Sequence, residues 1–153
     1  TQVADVTRRC LAMLRSSVPG RGASIVNITS VEAHRAGPGF GIYSAMKAAV
    51  ANLTRTLALE FAERRIRVNA IAPDMIPTPG DAGLAQDSGA MSATGWAMTP
   101  WPDEGHVDDV AGAVIWLAGP MSRFVTGTTV HVDGGTLAAS GWKRSVDGGP
   151  WVL

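Results

Sequence analysis

The sequence predicts an α/β fold built on a parallel sheet, and three observations carry the prediction. Residues 23–30, 66–72 and 128–133 are short runs rich in β-branched and apolar residues, the first almost free of charge, as a strand covered on both faces is. Helical patterns of more than ten residues, at 43–63 and 108–118, separate them. Turn residues punctuate the boundaries: Pro19-Gly20-Arg21-Gly22, Gly119-Pro120 and Gly134-Gly135. Strands alternating with helices of this length close βαβ crossovers, and crossovers join parallel strands.

The elements follow in order. Val3, Val6, Cys10, Met13 and Leu14 recur at helical spacing ahead of the first turn run. Ala23-Ser24-Ile25-Val26-Asn27-Ile28-Thr29-Ser30 is the first strand, and the Gly- and Pro-containing stretch 36–41 is a loop. Met46, Val50, Leu53, Leu57 and Phe61 then form one apolar stripe on a long helix. The second strand, 66–72, is ended by Pro73, and the third by the glycine pair after Asp133. Residues 74–106 show no period and many Gly and Pro, yet they hold Met75, Leu84, Met91, Trp96, Met98 and Trp101; a loop so long and so apolar is expected to be a lid over a binding site. The tail, 138–153, carries Trp142 and Trp151 and is expected to pack against another part of the protein. Three strands make too small a sheet to be covered on both faces without leaving apolar edges, so further strand-helix units are expected upstream. The chain opens on Thr1 with a helical pattern already under way, which fits a fragment of a longer protein.

Composition narrows the function classes. With 46% apolar and 17% charged residues the chain reads as one globular domain, 1–153. Thirteen basic and thirteen acidic side chains cancel, which leaves no positive field for nucleic acid or an anionic membrane. The densest basic run, Arg64-Arg65 and Arg67, falls where the long helix ends, and cations there favour the macrodipole. Cys10 is the single cysteine, read as a small buried hydrophobe in a reducing, cytoplasmic setting. No run approaches the roughly 20 apolar residues of a membrane span.

Tyr43 and Lys47 lie four apart at the start of a helix, so their side chains share a face. A phenol with a pKa of about 10 becomes a usable acid and base near neutrality when an ammonium lies within about 4–6 Å. Ser30 stands at the C-terminal end of a strand, where open α/β sheets bind ligands, and its hydroxyl suits a substrate carbonyl. Together the three supply a polarising hydrogen bond, a proton donor and a cation that tunes it.

The run Ile25-Val26-Asn27-Ile28-Thr29-Ser30, the thirteen-residue step to Tyr43 and the stretch Tyr43-Ser44-Ala45-Met46-Lys47 closely resemble the active-site signature of the short-chain dehydrogenase/reductase family. The resemblance continues through Arg67-Val68-Asn69-Ala70-Ile71-Ala72-Pro73 and from Val125-Thr126-Gly127 to Val132-Asp133-Gly134-Gly135. It implies the C-terminal part of a Rossmann-like, doubly wound parallel sheet whose N-terminal strands are missing. It also implies a nicotinamide cofactor, NAD or NADP, an alcohol or ketone as small-molecule substrate, and a homo-oligomer, dimer or tetramer, paired through the long helices. In the family the Ser holds the substrate oxygen, the Tyr exchanges its proton, and the Lys assists the Tyr and binds the nicotinamide ribose; these roles pass to Ser30, Tyr43 and Lys47. The family's Pro-Gly-x-x-x-Thr stretch, which contacts the nicotinamide, corresponds to Pro73-Asp74-Met75-Ile76-Pro77-Thr78, so cofactor contacts are expected at Pro73, Ile76 and Thr78. Asp74 departs from the glycine and puts a carboxylate near the nicotinamide. The glycine-rich pyrophosphate loop and a catalytic Asn, expected just before Thr1, are absent, and the chain by itself is expected to be inactive.

Rival readings fare worse. Gly37-Pro38-Gly39-Phe40-Gly41 starts seven residues after Ser30, too far for the tight strand-to-helix turn of a dinucleotide fingerprint. Ser30 lacks the Gly-x-Ser-x-Gly elbow of a serine hydrolase. His34, His106 and His131 are scattered without ligand spacing, so no metal is expected. The remaining alternative is a non-catalytic assembly module related to the same family, which would have no need to keep Ser30, Tyr43 and Lys47 together.

Overall fold

The computed structural model describes residues 2–15, 22–79, 95–97 and 99–153. In chain order the elements are α1 (Gln2–Arg15), β1 (Ala23–Ile28), α2 (Gly41–Glu60), β2 (Ile66–Pro73), α3 (Val107–Ala118), β3 (Thr129–Val132) and a one-turn α4 (Thr136–Ala139). The strands form a parallel sheet in the order β1-β2-β3. Ala23 pairs with Ile66 and Ile28 with Ile71, while Ala70 pairs with Thr129 and Pro73 with Val132. Proline has no N–H to donate, and β2 ends on it. The predicted fold class and the order of its elements therefore hold.

Alternation along the strands decides what each face meets. Ala23, Ile25, Ile66 and Val68 turn toward the face on which α1 and α2 pack, with Leu11, Leu14, Leu53, Leu57 and Phe61 closing the core. Ser24 and Arg67 turn the other way: Ser24 Oγ donates to the Leu117 carbonyl of α3, and Arg67 donates to Ser122 Oγ and to the carbonyls of Gly119 and Val125. β2, flanked on both sides, is the most buried strand; Ile66, Val68, Ala70, Ile71 and Ala72 are all within 1% of complete burial. Burial of each large side chain of this kind stabilises the fold by about 1.5–3 kcal/mol. β1 lies at one edge of the sheet, and Ile28 at its end remains half exposed.

Several boundaries and environments differ from expectation. The long helix stops at Glu60 instead of 63, because the chain tightens into a 3₁₀ turn at Ala62–Arg64 and Arg65 takes a left-handed φ of 56° before β2. The basic run does not neutralise the end of α2: its last turn holds no basic residue, Arg64 lies over the Phe61 ring, and Arg67 is a strand residue anchoring the segment between α3 and β3. The apolar stripe is buried at Val50, Leu57 and Phe61 but opens to solvent at Met46. Cys10 is partly exposed, not buried. Leu84, Met91 and Met98 of the expected lid lie outside the described residues. No helix of the described residues is long and apolar enough to cross a membrane.

Candidate active site

All three strands run the same way, so the segments leaving their C-terminal ends gather at one end of the sheet: Ser30 after β1, Asp74 after β2, and Asp133 with Thr136 after β3. Ser30 lies two residues past the strand itself. It caps the short 3₁₀ turn Val31–Ala33 in an extended conformation, its Oγ accepting the Glu32 N–H at 3.2 Å. The side chain is buried, and an oxygen that accepts there keeps its own proton to donate.

Two hydrogen bonds, the first buried and the second partly so, hold this strand end against α2. Asn27 Nδ2 donates to Thr54 Oγ1 at 2.9 Å, and Thr29 Oγ1 donates to the Lys47 carbonyl at 2.8 Å. These bonds set Ser30 in register with the first turns of α2, where Tyr43 and Lys47 stand. The Lys47 ammonium lies 5.5 Å from the centroid of the Tyr43 ring and donates to the Ile28 carbonyl at 3.2 Å, so the helix turn and the strand end meet at one cation. The Phe40 ring stands edge-on to Tyr43, with 6.1 Å between centroids. Tyr43 is 45% exposed, open to whatever occupies the end of the sheet. The four-residue spacing thus brought Tyr43 and Lys47 together as expected. Sequence reasoning missed Thr29 and Asn27; their only signal was polarity inside an otherwise apolar run.

Pro73, Ile76 and Thr78 follow β2 at the same end, Pro73 and Ile76 half-buried and Thr78 exposed. At Asp74, which stands in place of a glycine, φ is not left-handed; that conformation falls on the next residue, Met75, at 52°, so the backbone at 74 tolerates a side chain. The carboxylate ties three loops together: Oδ2 accepts from Arg35 Nη2 at 2.8 Å and from Thr136 Oγ1 at 2.7 Å, while the Asp74 N–H donates to the Val132 carbonyl. Arg35 also holds Glu32, at 2.7 Å. Burial works against the charge of Arg35, but the hydrogen bonds and charges of Glu32 and Asp74 outweigh it and hold the guanidinium more firmly protonated than usual. The carboxylate is thereby committed to Arg35 and Thr136.

Asp133 explains the glycine pair that follows it. Its buried carboxylate accepts the N–H groups of Gly135 and Leu137, capping α4. Gly134 and Gly135 both have positive φ and abut Thr99 and Pro100, where a β-carbon would come within 3.2 Å of either neighbour. The tail folds back as a strand pair, Lys143 with Val152, and Ser145 bridges to Trp96, so the tail packs against the end of the long loop. Between them opens a cleft of about 530 Å³, floored by Arg35 and Asp74 and walled by Trp96, Trp142 and Trp151. Ser30, Tyr43 and Lys47 do not line it; it begins where the segments leaving Ser30 and Pro73 arrive at Arg35 and Asp74.

The histidines are less scattered in space than in sequence. His34 and His131 meet edge to face at 4.9 Å, and burial, His131 and Arg55 together push the His34 pKa below its usual 6.5. No group of three or more metal-ligating side chains occurs among the described residues. His106 caps α3, accepting the Asp108 N–H while Asp109 accepts the His106 N–H.

A parallel sheet with helices on both faces, and with reactive side chains gathered where its strands end, defines a protein of the Rossmann-like α/β class. The family model described as enoyl-(acyl carrier protein) reductase matches residues 2–136. The chain belongs to the short-chain dehydrogenase/reductase family. It is 45% identical over 119 residues to 3beta-hydroxysteroid dehydrogenase 1 of Eggerthella lenta, covering 78% of this chain and 45% of that protein. It is 42% identical over 115 residues to glucose 1-dehydrogenase of Gluconobacter oxydans, covering 75% and 42%. Among solved structures it resembles a short-chain type dehydrogenase/reductase from Mycobacterium ulcerans, with a TM-score of 0.75 and 32% identity over 87% of this chain and 47% of that one. A gluconate 5-dehydrogenase from Burkholderia cenocepacia, in complex with NADP and tartrate, gives 0.78 and 33% over 90% and 52%. The chain spans about half the length of the relatives it matches.

Proposed function

We propose that the protein is an NAD- or NADP-dependent oxidoreductase that interconverts an alcohol and a ketone or aldehyde, with Ser30, Tyr43 and Lys47 as its reacting side chains. The observation that carries the reading is the Lys47 ammonium, which sits 5.5 Å from the Tyr43 ring and on the carbonyl of Ile28, two residues before Ser30. An acid/base phenol, its cation and a hydroxyl donor thus share one strand end.

The residues suit a nicotinamide cofactor. An ammonium has three donors and Lys47 directs one to Ile28, so the remaining two match the vicinal hydroxyls of a ribose. Pro73, Ile76 and Thr78 would flank the nicotinamide. When bound, the cofactor supplies or accepts the hydride. In reduction, Tyr43 donates its phenolic proton to the carbonyl oxygen as that oxygen gains charge, and Ser30 donates a hydrogen bond to the same oxygen. Lys47 then offsets the charge left on the phenolate. In oxidation the proton returns to Tyr43 from the alcohol. In this reading the described ends of the 74–106 segment, with Met75, Trp96 and Trp101, would help to exclude water from the reacting atoms. Homo-oligomerisation through the long helices is part of this reading, supported by Met13 on α1 and Ile42 and Leu59 on α2, each at least 70% exposed.

The test is Tyr43→Phe in the protein at its native length. Turnover is expected to fall by at least about a hundredfold, while NAD or NADP affinity, read by fluorescence titration, stays within a factor of two or so. Unchanged turnover would remove Tyr43 from the chemistry.

A further inference from the structure

The cleft joins an excess of positive charge to an apolar annex. Arg35, Lys143 and Arg144 line it against one carboxylate, Asp74. Glu32 accepts from Arg35 Nε at 2.9 Å from outside the lining, and even with Glu32 counted the cations outnumber the carboxylates. Arg35 is taken up by these two partners, its Nη2 lying 2.8 Å from Asp74. Lys143 and Arg144 form no ion pair among the described residues, so the excess charge is theirs. Their backbone is held on both edges: the Arg144 carbonyl accepts the Ala97 N–H at 2.8 Å, and Lys143 exchanges two hydrogen bonds with Val152, at 2.7 and 2.9 Å. Arg144 is half-buried, with its guanidinium carbon 5.7 Å from the centroid of the Trp151 ring. That ring also walls a smaller space of about 310 Å³, lined by no charged residue, which shares Pro100, Ala139, Trp142 and Trp151 with the cleft and is completed by Gly135 and Ala138.

We propose that the cleft and its annex bind an amphipathic carboxylate, a small molecule whose ring body seats in the annex against Trp142 and Trp151 and whose carboxylate meets Arg144, the residue that selects for it. The proposal rests on the cleft holding the far end of the substrate of the oxidoreductase site described above. A guanidinium presents five N–H donors in a planar fork that matches a carboxylate, and no carboxylate takes those of Arg144 here. Half-burial against an indole removes water and strengthens its charge, whereas exposed Lys143 adds a field that solvent and salt screen. Arg35 is a poorer choice, because Glu32 and Asp74 already occupy its Nε and Nη2. The two tryptophans offer flat apolar faces to a planar or fused ring. Trp151 lies beneath the cation and also walls the annex, so a single small molecule spans both.

The experiment uses the protein at its native length and reads binding by titration calorimetry, so it does not depend on turnover. Naphthoate and naphthylmethanol serve as an anionic and a neutral probe of equal size, and acetate as the anion without a ring. Wild type is expected to bind naphthoate at least about tenfold more tightly than naphthylmethanol, with the gap narrowing as salt is added, and acetate at least about a hundredfold more weakly than naphthoate. Arg144→Gln is expected to weaken naphthoate by about tenfold and to leave naphthylmethanol within about twofold. Ala138→Phe, which fills the annex, should weaken both ring probes by about tenfold and keep their ratio. Equal affinity of the two ring probes for wild type, a gap indifferent to salt, or acetate bound as tightly as naphthoate overturns the proposal without any variant. An unchanged ratio in a folded Arg144→Gln protein, or undiminished binding of both ring probes by a folded Ala138→Phe protein, overturns it as well. A Tyr43→Phe protein that kept its turnover would instead overturn the catalytic reading and leave the probe ratios untouched.

Discussion

The bond between Asn27 and Thr54 gives the sharpest energetic prediction, because it joins the strand that leads to Ser30 to the helix that carries Tyr43. Thr54 is completely buried; its Oγ1 accepts from Asn27 Nδ2 and donates to the Val50 carbonyl, both at 2.9 Å. Thr54→Val keeps the shape of the side chain and removes only the hydroxyl. Val50 retains its helical N–H partner, so that end of the change costs little. Asn27, 7% exposed, is left with a buried amide donor and no acceptor, at a cost of about 1–3 kcal/mol. Better burial of a methyl than of a hydroxyl offsets a few tenths of this, leaving about 2 kcal/mol. For a domain of 150 residues or more that corresponds to a fall in Tm of about 4–8 °C. The assay is thermal unfolding of the protein at its native length, extended to a double-mutant cycle with Asn27→Leu. Once the orphaned amide is gone as well, the double variant should cost less than the sum of the two single ones by about 1 kcal/mol or more. Additive single effects, or a fall of less than about 1 °C for Thr54→Val, would refute the view that this hydrogen bond holds β1 to α2.

Two further outcomes follow from local geometry. Gly22 has a φ of 65°, and a β-carbon there would strike the Arg65 carbonyl oxygen, the acceptor of the Ala23 N–H that opens the β1–β2 ladder; Gly22→Ala is expected to cost about 2 kcal/mol or more, measured by denaturant unfolding, whereas Gly141→Ala, with open space around it, should cost less. The folded-state pKa of His34 lies below 6.5, so the unfolded state binds more protons in the window beneath that value, and stability rises with pH there and is lost on acidification. Wild type should therefore lose more Tm between pH 7.5 and pH 5.5 than His34→Gln does; an equal loss would remove His34 from the acid response.

How much of the site was legible in the sequence depended on whether the partners were local. Tyr43 and Lys47 were found because a helix brings residues four apart onto one face, whatever surrounds it. Ser30 was found because the hydrophobic run before it had to be a strand and had to end. Asp74, Arg35 and Thr136 could not be grouped in the same way, since Arg35 lies 39 residues before Asp74 and Thr136 62 residues after it, and only the stacking of strand ends brings them to one point. Asp74 stood out merely as a charge where a glycine was expected; that Arg35 and Thr136 hold its carboxylate was not legible. Thr29 and Asn27 looked like interruptions of an apolar run; each satisfies a polar group across the β1–α2 interface.

Periodicity, turn chemistry and β-branching determined by themselves the order and kind of the three strands and three long helices, and with them the parallel sheet, because these properties depend on neighbours a few residues away; the one-turn α4 was not among them. The order β1-β2-β3, the tail folded against the long loop, the meeting of His34 with His131 and the charged floor of the cleft were decided only by the tertiary structure. Each requires segments remote in the chain to be brought together, and what brings them together is burial of the two faces of β2, a collective property that no single stretch of residues encodes.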